Sequence, residues 1–126
     1  MMNGENVIRD KSFAFAVRIV KLCRLLSEER REFVLSKQLL RSGTAIGALV
    51  REAEHAESKA DFIHKMAIAQ KESNETAYWL ELLRQSEWLN DKEFDSIFPD
   101  QVEIARILAS IILTSKGRVR IVNDEG

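Results

Sequence analysis

Apolar residues recur every three to four positions along most of the chain, which is the period of an α-helix and not of a β-strand. Short polar stretches break this pattern into four segments. They predict helices over about residues 11–31, 34–57, 59–86 and 91–115, followed by a basic, flexible tail over 116–126. Connections this short between long helices favour antiparallel neighbours. The pattern therefore predicts an all-α, single-domain, antiparallel up-down-up-down four-helix bundle.

Two of the helix starts carry capping sequences. Ser58 is followed three residues later by Asp61, and Asn90 is followed three residues later by Glu93. In each pair the first side chain can accept a hydrogen bond from the backbone of the second, and the second side chain can reach back. These pairs predict the starts of the third and fourth helices.

The other helix boundaries rest on single residues. Asp10 is a candidate N-cap of the first helix, and Gly117 is a candidate stop for the fourth. Pro99 lies inside the fourth segment, where its missing N–H removes a helical hydrogen bond. We expect Pro99 either to kink the helix near Ser96 or to occupy the first turn of its main portion.

The first and fourth helices have narrow polar faces. The charged residues within 12–26 and the polar residues within 102–113 each form one thin stripe: Arg18, Lys21 and Arg24 in the first, Glu103, Arg106 and Ser110 in the fourth. A bundle helix of a monomer needs an apolar stripe only a little wider than about 100°. One interpretation is a monomer with scattered exposed apolar residues. The preferred interpretation is a second apolar surface on each helix, buried against other subunits.

The second helix contains two glycines, Gly43 and Gly47, four residues apart and therefore on one face. Each glycine inside a helix costs about 1 kcal/mol relative to alanine. Together with Ala48 they form a low surface that lets another helix approach closely, as small residues do between membrane helices. We expect a packing role, with an aromatic side chain of the first or third helix over the groove.

The composition of the chain limits which classes of protein it can belong to. The chain has 126 residues, of which 45% are hydrophobic and 31% charged, as is typical of one folded domain. Its single cysteine, Cys23, can form neither an internal disulfide nor a cysteine-rich metal site. The sequence starts without the basic and apolar runs of a signal peptide, and no apolar stretch is long enough to cross a membrane. We expect a cytoplasmic protein.

The motifs of enzymes are incomplete in this sequence. Glu52 and His55 have the Glu-x-x-His spacing of di-iron bundles, but that site needs a second such motif and further glutamates, and His64 is the only other histidine. Arg51 and His55 are closer together than the arginine–histidine motif of helical ribonucleases allows. No glycine-rich phosphate loop or nucleophile elbow is present. The sequence predicts no catalytic residue, cofactor or metal ion.

A line of polar and aromatic residues follows the third helix. Lys71 and Glu75 form an i,i+4 pair of opposite charge. One interpretation is a solvated face, and the other is a polar network or subunit interface that fixes the register of the helices. Its candidate members, including two from the second helix, are Arg51, Glu52, His64, Lys71, Glu72, Glu75, Tyr78 and Trp79.

Basic residues are segregated although the formal net charge is only −1. They form a stripe on the first helix and a cluster in the tail, and an oligomer would repeat both, so that they could contact phosphate backbones. The candidate nucleic-acid contacts are Arg18, Lys21, Arg24, Lys116, Arg118 and Arg120. The alternative is an ordinary solvated helix face, and no base-stacking platform is evident.

Four stretches, SGTAIGA, REAEHA, DFIHK and ETAYWLELL, together resemble a bacterial four-helix-bundle family encoded in intervening sequences of 23S rRNA genes. The resemblance extends over about residues 11–115. The residues that match its motif are Arg41, Ser42, Gly43, Gly47, Arg51, Glu52, Phe62, Lys71, Glu72, Glu75, Thr76, Tyr78 and Trp79.

The resemblance implies an antiparallel four-helix bundle that assembles into a homopentameric ring. It implies no catalytic residue, so the matching residues carry over only as structural or interface positions. Some relatives are accessory subunits of diversity-generating retroelements, are strongly basic, and bind nucleic acid and a reverse transcriptase; the net charge of −1 departs from them. We therefore predict a non-enzymatic oligomeric scaffold or interaction module, with nucleic-acid binding as the alternative.

Overall fold

The fold consists of four long α-helices. The computed structural model describes the backbone from residue 4 to residue 125 and the side chains from residue 6 to residue 117. Within the described backbone no strand is present, so the all-α prediction is confirmed. The helices are α1 (Gly4–Arg24, continued by a π-helical segment, Leu25–Glu29), α2 (Leu35–Ala53), α3 (Lys59–Gln85) and α4 (Asp91–Glu125).

Three boundaries differ from the prediction. Helix α1 begins at Gly4, so Asp10 lies inside the helix and is not its N-cap; the fully buried Ile8 extends the packed face upstream. Helix α2 ends at Ala53, its last buried residue, rather than near residue 57. Helix α4 continues through Gly117 to Glu125. Gly117 does not have the positive φ with which a glycine ends a helix.

Both capping sequences start the helices that they predict. The Ser58 hydroxyl accepts a hydrogen bond from the Asp61 N–H at 3.0 Å, and the Asp61 carboxylate accepts one from the Glu57 N–H at 3.2 Å. At α4 the Glu93 N–H donates to Asn90 Oδ1 at 2.8 Å, and the Asn90 N–H donates to Glu93 Oε1 at 3.0 Å. The second pair is a reciprocal capping box.

Pro99 lies within α4, nine residues into a helix that begins at Asp91 and continues without a break. It is therefore not a first-turn residue. Because proline has no N–H, the carbonyl of Asp95 lacks its usual helical donor. The next carbonyl, that of Ser96, accepts a hydrogen bond at 2.9 Å from the Arg18 guanidinium of α1. A side chain from another helix thus supports the backbone beside the proline.

The connection between α1 and α2 is compact and strongly hydrogen-bonded. The π-helical segment ends where the Arg30 N–H donates to the Leu25 carbonyl at 3.2 Å. Arg31 then adopts a left-handed conformation, with φ of 62°. This turn places the buried Glu32 carboxylate over the first turn of α2, where it accepts hydrogen bonds from three backbone amides, at 3.3, 3.0 and 2.7 Å.

Each helix packs against two others: α1 and α3 both contact α2 and α4. Contacting residues on consecutive helices run in opposite sequence directions, as Ser12 with Gly47 and Cys23 with Ser36 show for α1 and α2. Phe15, Ile19, Leu39, Ile46, Met66, Leu80, Ile104 and Leu108 are among the fully buried residues of the shared core. No helix in the described part of the chain has the length and apolarity needed to span a membrane.

Candidate functional site

The two glycines of α2 allow α1 to approach closely. A Cβ on Gly43 would lie 2.9 Å from both Cγ1 and Cγ2 of Ile19, and one on Gly47 would lie 3.4 Å from the backbone oxygen of Ser12. The nearest atoms over the groove thus belong to an aliphatic side chain and to Ser12 of α1, and not to the aromatic side chain that was expected. Ala48, next to the pair, is exposed. The helix over this groove belongs to the same chain.

Two buried polar contacts link the helices. The Thr76 hydroxyl on α3 lies 3.0 Å from the Ser42 hydroxyl on α2. The Gln101 side-chain amide on α4 donates to Ser73 on α3, at 3.1 Å to the carbonyl oxygen and 3.2 Å to the hydroxyl. Sequence reasoning missed Gln101, although it interrupts an apolar row of core positions, Ile97, Ile104 and Leu108, and that interruption is a detectable signal.

A second network lies at the surface between α2 and α3. The Arg41 guanidinium binds Glu72, with Nη1 3.2 Å from Oε1, and also contacts the Glu75 carboxylate. The Trp79 indole N–H donates to Glu75 at 3.0 Å. That bond contributes most to lowering the pKa of Glu75; burial opposes it and the Arg41 guanidinium reinforces it. Glu72, Glu75 and Trp79 are thus brought together, while their partner Arg41 was predicted only as a motif position.

Most of the other predicted members of this network lie elsewhere. Arg51 stacks on Phe13 of α1, 5.1 Å from the ring centroid. Glu52 pairs with Lys65 of α3 at 3.4 Å. His64 is exposed on α3, and Lys71 is exposed one turn before Glu75, where its positive charge helps to lower the pKa of Glu75.

Tyr78 is the most exposed aromatic residue of α3. It packs edge-on against Trp79, with ring centroids 5.0 Å apart and an interplanar angle of 74°. Its side chain nevertheless remains 56% exposed. The line of residues predicted from sequence therefore divides into a connected group around Arg41 and a set of separate surface positions.

The basic stripe of α1 is also divided. Arg18 faces α4, where it donates to Asp100 at 2.6 Å as well as to Ser96. Arg24 instead lines a cleft between α1 and α2. Lys21 is exposed between them. Only two of the three side chains are therefore available to an outside anion.

The side chains of the basic tail are described only in part. Lys116 is exposed on α4. Arg118 and Arg120 lie outside the residues whose side chains are described, so their predicted contacts with nucleic acid remain predictions.

Large apolar side chains are exposed in two rows. On α1 the row is Phe13, Val17 and Val20, spaced four and three residues apart, with Phe13 56% exposed. On α4 it is Val102 and Leu113, eleven residues or about three turns apart, with Leu113 68% exposed. Such spacing places each set on one side of its helix. We call these the α1 row and the α4 row.

The α1–α2 cleft has a volume of about 340 Å³. Val20 on α1 and Phe33 and Leu40 on the α2 side form its apolar surface, and all three are exposed. Arg24 and Lys37 stand at its rim. Cys23 lies beneath it, where burial, with a further contribution from Glu32, raises the pKa of its thiol to about 12. The thiol is therefore protonated at neutral pH and a poor nucleophile.

The residues considered for metal binding do not come together. Helix α2 ends at Ala53, so His55 lies beyond the helix that carries Glu52, and both side chains are exposed. Among the described residues, no three histidine, cysteine, aspartate or glutamate side chains are grouped closely enough to hold a metal ion.

Comparisons with known proteins place the chain in a family. Residues 4–110 match the sequence model of the 23S rRNA-intervening sequence protein family. A crystal structure of a protein of unknown function from the S23 ribosomal protein family of Bacteroides thetaiotaomicron VPI-5482 is 56% identical, with a TM-score of 0.86 over 87% of this chain and 98% of that one. No functionally curated protein matches. The chain belongs to the 23S rRNA-intervening sequence protein family.

Proposed function

We propose that this protein is a non-enzymatic oligomeric scaffold: an up-down-up-down four-helix bundle whose copies assemble into a homopentameric ring and hold other molecules. The antiparallel arrangement is supported by the opposite directions of the contacting residues along neighbouring helices. The observation that carries the proposal is the α1 row, Phe13, Val17 and Val20, which leaves large apolar side chains in water. Contiguous exposed apolar surface is typical of protein–protein interfaces.

The arrangement of the two rows supports a ring rather than a dimer. Where α1 and α4 meet, Lys11 pairs with Glu103 at 3.1 Å, and Arg18 pairs with Asp100. Lys11 and Arg18 lie on a different side of α1 from the α1 row, since successive helical residues are about 100° apart. The α4 row is likewise offset from Asp100 and Glu103. Two separate faces on one subunit favour head-to-tail contacts, which close into rings, over a two-fold contact of one face with itself.

Light scattering coupled to size-exclusion chromatography tests the assembly. We expect a mass of about five times the 14.5 kDa chain at micromolar concentration. Val17→Glu and Leu113→Glu each place a charge in one row and should shift the protein toward lower mass. Asn74→Glu, at an exposed position of α3, is the matched control and should keep the wild-type mass. A wild-type monomer with helical circular dichroism would contradict the proposal.

The alternative is a nucleic-acid-binding accessory protein, and the geometry gives it less support. Arg18 and Lys11 are both paired with acids of α4. Lys21 and Arg24 have no ion pair among the described residues. A salt titration of binding to a structured RNA tests this function: low-salt affinity that Lys21→Ala and Arg24→Ala reduce would favour it. No affinity at low salt would exclude it.

A further inference from the structure

The α1–α2 cleft has a rigid base. The Ser36 N–H donates to Glu32 Oε1 at 2.7 Å, and the Ser36 hydroxyl donates to the Glu32 carbonyl at 2.8 Å. The Ser36 carbonyl accepts from the Cys23 thiol at 3.3 Å. Because these groups are already bonded within the chain, the apolar surface above them is preformed. Preformed surfaces lose little entropy when a ligand binds.

The charged side chains that line the cleft are both basic. Arg24 and Lys37 line it, and neither forms an ion pair among the residues whose side chains are described. The nearest buried acid, Glu32, points into the first turn of α2, where backbone amides bind it. Glu28 and Glu29 are exposed in the π-helical segment but do not line the cleft.

Phe33 adds to both the apolar surface and the positive charge of the cleft. The left-handed turn at Arg31 presents Phe33 at the edge of the cleft, where it is exposed. The Arg31 guanidinium lies 5.0 Å from the ring centroid, which adds a third cation close to the apolar surface. A ligand that suits this site needs apolar groups for the floor and negative charges for the rim.

We propose that the cleft binds an acidic amphipathic helix of a partner protein, with apolar side chains on Phe33 and Leu40 and carboxylates toward Arg24 and Lys37, while Val20 stays in the α1 row of the proposed subunit contact. Helices bind grooves in this way through apolar residues at positions i, i+3, i+4 and i+7. This inference rests on the proposed function in one respect, which is that a scaffold holds a partner.

A second copy of the chain and a nucleic acid both fit the cleft less well. A second copy that docked through this same cleft would set its own Arg24 and Lys37 against these two residues, so like charges would meet. A phosphate backbone would meet the rim cations but gain nothing from three exposed apolar side chains on the floor. Charge and apolar surface together select an acidic protein segment.

A designed peptide tests the binding by fluorescence anisotropy at low salt. The probe is a labelled helix with leucines at i, i+3, i+4 and i+7 and glutamates at its other positions; in the control peptide each glutamate is lysine. We expect saturable binding of the glutamate peptide and at least about tenfold weaker binding of the lysine peptide. No saturable binding, or equal binding of both peptides, would overturn the proposal.

Variants locate the site. Lys37→Glu and Leu40→Asp should each weaken binding of the glutamate peptide by about tenfold. Gln38→Glu, at an exposed neighbouring position that does not line the cleft, should leave it unchanged. An equal loss in all three variants would mean that the peptide responds to overall charge, which would overturn the assignment of the site.

Light scattering on the same samples separates this inference from the proposed assembly. Lys37→Glu and Leu40→Asp should keep the wild-type mass. If they dissociate the oligomer, the cleft is a subunit interface and the inference fails. A structured RNA that displaces the peptide, and whose binding Lys37→Glu abolishes, would overturn it in favour of nucleic acid. Peptide binding to a monomeric wild type would refute the ring and leave this inference standing.

Discussion

Gly43 lies so close to Ile19 that α1 and α2 leave no space for a methyl group between them. A Cβ at position 43 would be 2.9 Å from two carbons of a fully buried, β-branched side chain. At Gly47 the nearest atom, the backbone oxygen of Ser12, would be 3.4 Å away, which is an ordinary contact. Two glycines that look equivalent in the sequence therefore differ in whether a methyl group at their position would fit against α1.

Alanine substitutions should separate the two glycines. Gly43→Ala forces buried Ile19 to shift, and overpacking of about 1–3 kcal/mol exceeds the helix-propensity gain of about 1 kcal/mol, so we expect net destabilisation. Gly47→Ala gains helix propensity without that clash and should be neutral or stabilising. Urea denaturation followed by circular dichroism, at one fixed protein concentration, measures both. Equal effects at the two positions would contradict the packing difference.

A larger side chain at position 47 should not be tolerated. Gly47→Leu must fit beyond the Cβ against the backbone of Ser12, which cannot move without shifting α1. We expect the free energy of unfolding to fall by more than about 1 kcal/mol although leucine favours helices. The control is Ala48→Leu, at an exposed neighbouring position, which should change stability little. A stabilised Gly47→Leu variant would show that the groove has room.

Glu32 should make the stability of the protein depend on pH in the acid range. Burial tends to raise its pKa, but hydrogen bonds from the backbone amides of Leu35, Ser36 and Val34 outweigh that and lower it. A carboxyl group with a lowered folded-state pKa stabilises the protein above its unfolded pKa of about 4.3, and this stabilisation is lost as pH falls through the folded pKa.

Glu32→Gln should therefore reduce the free energy of unfolding by about 1–2 kcal/mol at pH 7, because the helix cap loses its charge. The difference from wild type should shrink as pH falls below the folded pKa of Glu32. Glu29→Gln, at an exposed position of the π-helical segment, is the control and should have little effect at any pH. A difference that does not change with pH would contradict the role of the carboxylate charge.

The ion pair between Arg30 and Glu93 should contribute to stability. The guanidinium binds both carboxylate oxygens, at 2.9 and 2.5 Å, and also donates to the Trp88 carbonyl at 2.7 Å, so it ties the end of α1 to the start of α4. A double-mutant cycle with Arg30→Ala and Glu93→Ala should give a coupling energy of about 1 kcal/mol. The more exposed pair of Arg84 and Asp91 should give almost none. Similar coupling in both pairs would contradict this assignment.

Much of the candidate site could not be predicted, because contacts between helices depend on how each helix is rotated and which helix lies beside it. Arg18 and Arg24 look alike in a basic stripe, yet one pairs with Asp100 and the other lines the α1–α2 cleft. Arg51 contacts Phe13 rather than the polar residues of α3. Nothing local to Arg41 indicates that Glu72 and Glu75, more than thirty residues away, are its partners.

The sequence by itself determined the four helices and two of their starts, because helical period and capping depend on residues a few positions apart, as at Ser58 and Asn90. The tertiary structure decided where α1 begins, since buried Ile8 extends it beyond Asp10, and whether Gly117 ends α4, since glycine stops a helix only in a left-handed conformation. It also decided which glycine is indispensable. That depends on Ile19, which the fold places against Gly43 and not against Gly47.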